Sequence, residues 1–541
     1  MALEETAARA ARRRRGAPFL AGLFAAVAGV SAAAGARFTP AAGNDDWKAE
    51  ANTRIEQIRK RDIGLFVADR YGNPVPGASA SVVQARHYFA LGSCINTNAL
   101  NNASYAAFFK SHFEWAVLEN ESKWLYNEPQ RDFENYSNAD ALVSFCEQNG
   151  ILMRGHNIFW AKEEYTPFWC RSLPDSELRS EVEERLASVV PRFRGKFLHW
   201  DVNNEMLDGD FFRRRLGSDI EPYMFRRTKE LDPAVLTFVN DYSIIAGSES
   251  RTAAYMDEIL SLEARDGPVD RIGVQGHFWG DTVEPIQVLA RLDQLSALQK
   301  HVWVTEYDAV DADENGRADK LENLYRSAFS HPIVDGILMW GFWAGSHWRG
   351  ANAAIVNLDW TLNAAGRRLE ALMAEWTTAA SGTTGPAGSF PLRGFHGTYD
   401  VTVTSGMTTI TESFEAPPGK GPAAWMVPLK RGACFAAAEV DQVEAAADPT
   451  TGETVLSWNM IPGRNDMTSV YDVLRSTSPS NFSGAVCLET NGADTIAMDA
   501  AQPAAGGLFS YLIRGKYGCP RGEGPLGSGS NGTPRTGPVC H

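Results

Sequence analysis

The sequence predicts an α/β chain: a (β/α)8 TIM barrel across residues 86–378, with small all-β modules before and after it. Two observations predict it. Eight short β-rich apolar runs alternate with amphipathic helical stretches over about 290 residues, the size and order of eight strand–helix units closing into a barrel. Seven of those runs then end in one inventory of side chains: carboxylates, amides, imidazoles and indoles. In such a barrel the C-terminal strand ends share one face, so these groups would converge. A doubly wound sheet is the alternative, but no Gly-rich phosphate loop follows any strand.

From the N-terminus, Arg12–Arg15 precede the apolar stretch Ala17–Val30 and the small-residue site Ala34-Gly35-Ala36. A positive segment, an apolar segment and a small-residue site make residues 1–36 a secretory signal peptide. The expected location is extracellular or periplasmic, with no membrane partner once the signal is removed. An uncleaved signal anchor is the alternative, because the apolar run with its alanines nears spanning length. Residues 37–61 read as linker and short helix, and residues 62–85 as a small β-module with turn chemistry from Tyr71 to Gly77.

The barrel runs are Tyr88–Leu91, Trp115–Leu118, Leu152–Gly155, Phe197–Trp200, Leu236–Val239, Ile272–Val274, Val302–Val304 and Ile337–Trp340. Helical patterns between them include Ser137–Glu147, Asp175–Val190, Ser248–Ser261 and Pro285–Gln299. Residues 379–389, rich in Thr, Gly, Ala and Pro, read as a linker. Residues 390–432 alternate in strand fashion, and residues 433–541 carry short strands and turns in the pattern of a β-sandwich with an irregular tail. Trp425 and Trp458 in these modules are candidate glycan-binding aromatics, with core packing the plainer reading of Trp458.

Composition limits the partners. A net charge of −15 argues against nucleic acid, which calls for a basic surface, and suits a soluble enzyme acting on neutral polymers. The seven cysteines lack the paired spacing of a zinc site, and export would permit one or two disulfides in the C-terminal tail.

The chemistry lies after the strands. Glu119, Asn120 and Lys123 follow the second run, His156 and Trp160 the third, and Asn204 and Glu205 the fourth. Asn240, Asp241 and Tyr242 follow the fifth, Gln275 and His277 the sixth, Glu306 and Asp308 the seventh, and Trp340 and Trp348 the eighth. A single strand-end glutamate reads as easily as a helix cap, and a single tryptophan as core. The full set reads better as a site for a polyhydroxylated ligand, whose hydroxyls need amides and carboxylates and whose C–H faces suit indoles. Two carboxylates are the minimal machine for cleaving a glycosidic bond.

The motifs ENESKW, RGHNIFW, WDVNNE, VNDY, VQGH, VTEYD and MWGFWAGSHWR occur in this order. From about His87 to Trp376 the chain therefore resembles the endo-β-1,4-xylanases of glycoside hydrolase family 10. The segment before the barrel and the later FHGTYDVTV resemble parts attached to some members, and the C-terminal region more weakly resembles a fibronectin type III-like module. The resemblance implies a secreted, monomeric enzyme that hydrolyses internal bonds of xylan or xylo-oligosaccharides with retention, without metal or cofactor. It makes Glu205 the acid/base and Glu306 the nucleophile. His277 and Asp308 would orient the nucleophile, and Asn204 would meet the sugar 2-OH. Glu119, Asn120, Lys123, His156, Trp160, Gln275, Tyr242, Trp340 and Trp348 would bind substrate. A β-1,4-glucanase and a non-catalytic carbohydrate-binding protein are the alternatives. The chain departs from the family pattern at Ala161, where many members have a second histidine, in the stretch Lys162–Pro167, and at Asn203, where valine is usual.

Overall fold

The computed structural model describes residues 46–541 apart from 70–71, 281, 420, 430–436, 438, 449–452, 462–468, 505, 518–522, 529–533, 539 and 541. The signal-peptide expectation lies outside the described residues. The chain divides into two compact units, whose described parts are residues 46–51 with 90–369, and residues 52–89 with 370–540.

The first unit is the barrel. Its strands are β1 (Ala90–Ile95), β2 (Trp115–Leu118), β3 (Leu152–Gly155), β4 (Phe197–Asn204), β5 (Leu236–Asp241), β6 (Arg271–Val274), β7 (Val302–Ala309) and β8 (Val334–Met339). Each pairs in parallel with its neighbours, and β8 returns to β1 with Gly336 opposite Ala90, so the sheet closes. All eight apolar runs of the sequence become these strands. They are short and almost entirely buried because side chains fill the barrel inside and helices cover it outside. The interior is a cluster including Trp115, Phe238, Trp303 and Leu338. His199 sits among these rings, 4.6 Å from Trp303 and 4.8 Å from Phe238 between centroids. Burial pushes its imidazole well below the ordinary range, aided by the Arg154 charge, so it is a neutral packing group.

Two short extensions shape the C-terminal face. Phe159–Trp160 runs beside the end of β4, with Trp160 opposite Asn204. His277–Phe278 runs beside β7, with His277 opposite Asp308. A register shift between Asp201 and Asn203 in the β4–β5 pairing breaks the strict alternation of side chains just before the acidic end of β4. Nothing in the structure explains Asn203, whose buried amide has no hydrogen-bond partner among the described residues.

The second unit corrects the domain reading. Lys60–Ala68 pairs antiparallel with Ser389–Phe395 and parallel with Ala423–Pro428. Ser79–His87 pairs with Ala379–Thr383 and Gly397–Ser405. The stretches read as an N-terminal module, a linker and a second module therefore share one core, built from Ile63, Leu65, Val82, Tyr399, Val401 and Trp425 among others. The reason is physical: a two-stranded ribbon with one apolar face is marginal in water and needs further strands to cover it. The same pairing starts the strand at Lys60, so the preceding helix ends at Ile58 rather than Arg61. After this come two three-stranded antiparallel sheets, Glu444–Ala447 with Thr454–Ser457 and Ile496–Asp499, and Ser469–Ser476 with Val486–Gly492 and Ser510–Tyr517. Their facing sides share Leu456, Trp458, Tyr471, Val473 and Ile513. Trp425 and Trp458 are both buried, which removes them as exposed glycan-binding aromatics. Cys487 and Cys540 form a disulfide across the sandwich and tail, whereas Cys94, Cys146 and Cys170 are free and buried. Cys434 and Cys519 lie outside the described residues.

Candidate active site

β4 is followed by one glutamate and β7 contains another. Glu205 follows β4 with φ of 59°, a left-handed conformation that is uncommon for a residue with a side chain. Strain of this kind persists only where the surroundings over-determine it. Here the Glu205 N–H donates to the Asn240 carbonyl at 2.9 Å, and the Glu205 carbonyl accepts from the Gly209 N–H at 2.9 Å. Glu306 lies within β7, and its N–H donates to the Gln275 carbonyl at 2.7 Å.

The side chains of the same two partners cross over. Gln275 Nε2 donates to Glu205 Oε1 at 2.9 Å, and Asn240 Nδ2 donates to Glu306 Oε1 at 2.7 Å. Each amide residue thus holds the backbone of one glutamate and the carboxylate of the other. Thr305 Oγ1 orients this arrangement by donating to Asn240 Oδ1 at 2.6 Å. Gly273 makes room for it, since a Cβ there would stand 2.5 Å from Asn240 Oδ1 and 2.9 Å from the Val239 carbonyl.

The two carboxylates have different surroundings. Burial alone would raise the pKa of Glu306, but His156, His277 and Lys123 outweigh it and bring it down to about 2. His277 Nε2 lies 3.3 Å from Glu306 Oε2, and His156 Nδ1 lies 3.8 Å from Oε1. Burial would likewise suppress the charge on His277, but Asp308, 3.1 Å from its Nδ1, and Glu306 raise it to about 9. Asp308 is held below the usual carboxylate range against its own burial, by His277 and by Arg349 Nη1 at 2.6 Å. Trp348 Nε1 also donates to Asp308, at 2.7 Å. His156 is fixed from behind by Asp201 Oδ2 at 2.8 Å, and Asp201 in turn pairs with Arg154.

This charge cluster gives stability a defined pH window. The depressed Glu306 contributes fully above its ordinary value of 4.5, and that contribution is lost as pH falls toward 2. The raised His277 contributes fully below its ordinary 6.5, and that contribution is lost as pH climbs through 9. The melting temperature is expected to fall between pH 6.5 and 9, and His277→Gln to flatten that fall; equal alkaline slopes for the two proteins would contradict the pairing.

The remaining predicted residues lie around this centre. Glu119 accepts from Asn96 Nδ2 at 2.7 Å, and burial raises its pKa. Lys123 is buried, which lowers its pKa; its Nζ donates to Asn120 Oδ1 at 2.9 Å and lies over the rings of Trp160 and Trp340, 5.1 and 5.6 Å from their centroids. Trp340 packs edge-on against His156 at 5.1 Å, and Trp348 against His277 at 5.2 Å. Asn204 Oδ1 accepts from Asn240 Nδ2 at 3.0 Å, which leaves its Nδ2, like the indole N–H of Trp160, without a partner among the described residues. These are two buried donors ready for a ligand oxygen. Tyr242 differs from the rest: its hydroxyl donates to Asp208 and accepts from Lys162 Nζ at 3.3 Å, so it is already engaged.

Sequence reasoning assigned no role to Asn240, Asp201, Arg154, Arg349 or Lys162. Asn240, Asp201, Arg154 and Arg349 stand inside the quoted motifs, so their position was a signal. Lys162 gave none, because it touches Glu205 only through the fold. Among the described residues one acidic trio, Glu128, Asp132 and Glu181, is close enough to share a cation, but Arg131 already pairs with Glu181 at 2.6 Å.

A closed barrel that holds two glutamates through a shared pair of amide residues at the C-terminal face of its strands defines a (β/α)8 protein of the glycoside hydrolase kind. The sequence profile described as Glycosyl hydrolase family 10 matches residues 80–366, and the chain belongs to that family. It is 49% identical over 386 residues to the anti-sigma-I factor RsgI6 of Acetivibrio thermocellus, covering 71% of this chain and 49% of that protein. It is 39% identical over 364 residues to endo-1,4-beta-xylanase 1 of Arabidopsis thaliana, covering 67% and 38%. The chain thus spans half or less of the length of these two relatives. A crystal structure of xylanase 10B from Thermotoga petrophila RKU-1 in complex with xylobiose superposes with a TM-score of 0.49 at 23% identity, covering 53% of this chain and 94% of that one.

Proposed function

We propose that the protein is an endo-β-1,4-xylanase that cleaves internal bonds of xylan with retention of configuration. One observation carries this reading: Asn240 and Gln275 each bind both glutamates, so the two carboxylates are held as one unit. Retaining enzymes need two carboxyls fixed relative to each other, roughly 5–5.5 Å apart. Glu306, kept ionised by His277, His156 and Lys123, attacks the anomeric carbon. Glu205 gives its proton to the departing glycosidic oxygen, and the C–O bond breaks. The glycosyl ester on Glu306 has lost the carboxylate's charge, and Glu205, now ionised, takes a proton from water as that water attacks the same carbon. Glu306 leaves as a carboxylate and Glu205 is protonated again, so the cycle closes. Asn204 Nδ2 is a donor for the sugar 2-OH, a contact that strengthens as charge develops.

Family membership and the relatives named xylanases support xylan as substrate. Incubation with xylan and, separately, with carboxymethylcellulose tests this. Xylo-oligosaccharides from the first and little sugar from the second are expected; comparable rates on both would favour a glucanase. A second reading, a carbohydrate-binding domain without turnover, is kept because the relative at 49% identity is named an anti-sigma-I factor, a name that states no hydrolytic activity. Xylan binding with no product after long incubation would establish that reading instead. We place the protein outside the cytoplasm on the strength of Arg12–Arg15 and the apolar run behind them. N-terminal sequencing of exported protein tests cleavage after Ala36.

A further inference from the structure

We propose that Lys162 is a positioning residue that pins the Glu205 carboxylate and thereby sets the alkaline limit of the reaction; this rests on the reading of Glu205 as the acid/base. Lys162 Nζ lies 3.1 Å from Glu205 Oε2, while Gln275 Nε2 occupies Oε1. Both carboxylate oxygens are therefore held by donors, one of them charged. The lysine comes from a fixed backbone: the Ala161 N–H donates to the Asn204 carbonyl at 2.8 Å, and the Ala161 carbonyl accepts from the Phe211 N–H at 2.9 Å. Ala161 is itself buried tight against Gly209, where a Cβ would stand 2.7 Å from the alanine methyl. The alanine is closely packed, and the residue after it supplies the cation.

The ammonium is also supported from behind. It lies over the Tyr242 ring, 4.5 Å from its centroid, and donates to the Tyr242 hydroxyl at 3.3 Å. Tyr242 donates to Asp208, which Arg251 holds at 2.6 Å, and Arg251 also reaches Asp241 at 3.3 Å. A lysine held in this way cannot swing freely into solvent. It also balances the carboxylate that Glu205 becomes each time it surrenders its proton.

The pH consequence has a definite sign. The first step needs Glu205 with its proton, and an adjacent ammonium favours the ionised form. Removing the ammonium should move the alkaline limb of kcat/KM to higher pH, by about one unit for an opposite charge at this range. The other charged and titratable groups around Glu205 are Asp241 and Tyr242 from the end of β5, Asp208 and Arg251 behind them, and Glu306 from β7. Asp241 is pushed up to about 7, chiefly by burial and also by the Glu205 charge, so it is the rival group in this pH range.

The test is the pH profile of kcat/KM on a xylo-oligosaccharide for the wild type, Lys162→Met, Lys162→Gln, Lys162→Arg and Asp241→Asn, with Glu205→Ala on an aryl xyloside carrying a good leaving group. Both uncharged variants should shift the alkaline limb upward by about one unit, and Lys162→Arg should restore it. A uniform loss of rate with the limb unmoved would overturn the proposal and leave Lys162 a structural residue. A limb that follows Asp241→Asn and ignores Lys162 would overturn it as well. The underlying reading fails separately, if Glu205→Ala keeps the alkaline limb of the wild type.

Discussion

Glu306→Ala is expected to lose xylan hydrolysis by about four to six orders of magnitude in kcat, the scale seen when a covalent nucleophile is removed. Glu306 is buried yet held ionised by His277 and His156, with Lys123 beyond. It receives a hydrogen bond from Asn240, so under the proposed mechanism the carboxylate is charged and oriented before substrate arrives. Alanine removes both the nucleophile and the counter-charge for a buried His277. Breaking one partner of a buried pair costs about 3–5 kcal/mol, so a lower melting temperature should accompany the loss of activity. Glu306→Gln keeps the shape and the Asn240 contact, so it should be equally inactive but less destabilised. Wild-type product release by either variant would remove Glu306 from the mechanism.

Glu205→Ala should behave differently, and the difference is diagnostic. General acid catalysis contributes about 10²–10⁴-fold, and that loss is expected in full on xylan, whose sugar leaving group needs a proton. An aryl xyloside with a good leaving group needs none, so its first step should stay near the wild-type rate. The second step still lacks its base, so stopped-flow recording should show a burst of aryl alcohol followed by slow turnover. Equal losses on the two substrates, without a burst, would mean that Glu205 does not protonate the leaving group.

The barrel was largely legible because each strand is a short apolar run buried on both faces and ends in polar chemistry. Such runs stand out from the longer amphipathic helices between them. Both glutamates could be picked out for the same reason, each lying at the end of such a run. Partnership was not legible. Lys60–Ala68 shows its buried face plainly in the sequence, but nothing in an alternating pattern says that its neighbours are Ser389–Phe395 and Ala423–Pro428, more than 300 residues later in the chain. The alternation of Trp425 with its neighbours likewise fits a wet or a dry face, and only the closing of the shared core makes it dry. In the site, Asn240 could be seen in its motif but not its double contact, which depends on the barrel bringing the end of β5 against both the end of β4 and β7. Lys162 was invisible because a change in a loop reads as a missing histidine until the fold brings the lysine to Glu205.

The central claim, that Glu306 becomes covalently bonded to the sugar, is tested most directly by trapping. A 2-deoxy-2-fluoro-xylobioside with an activated leaving group slows hydrolysis of the glycosyl–enzyme more than its formation. After incubation, proteolysis and peptide mass spectrometry should find one fluoroxylobiosyl group on the peptide containing Glu306, and none in Glu306→Ala. A sugar attached to another carboxylate, or turnover of xylan with inverted anomeric configuration, would contradict the account.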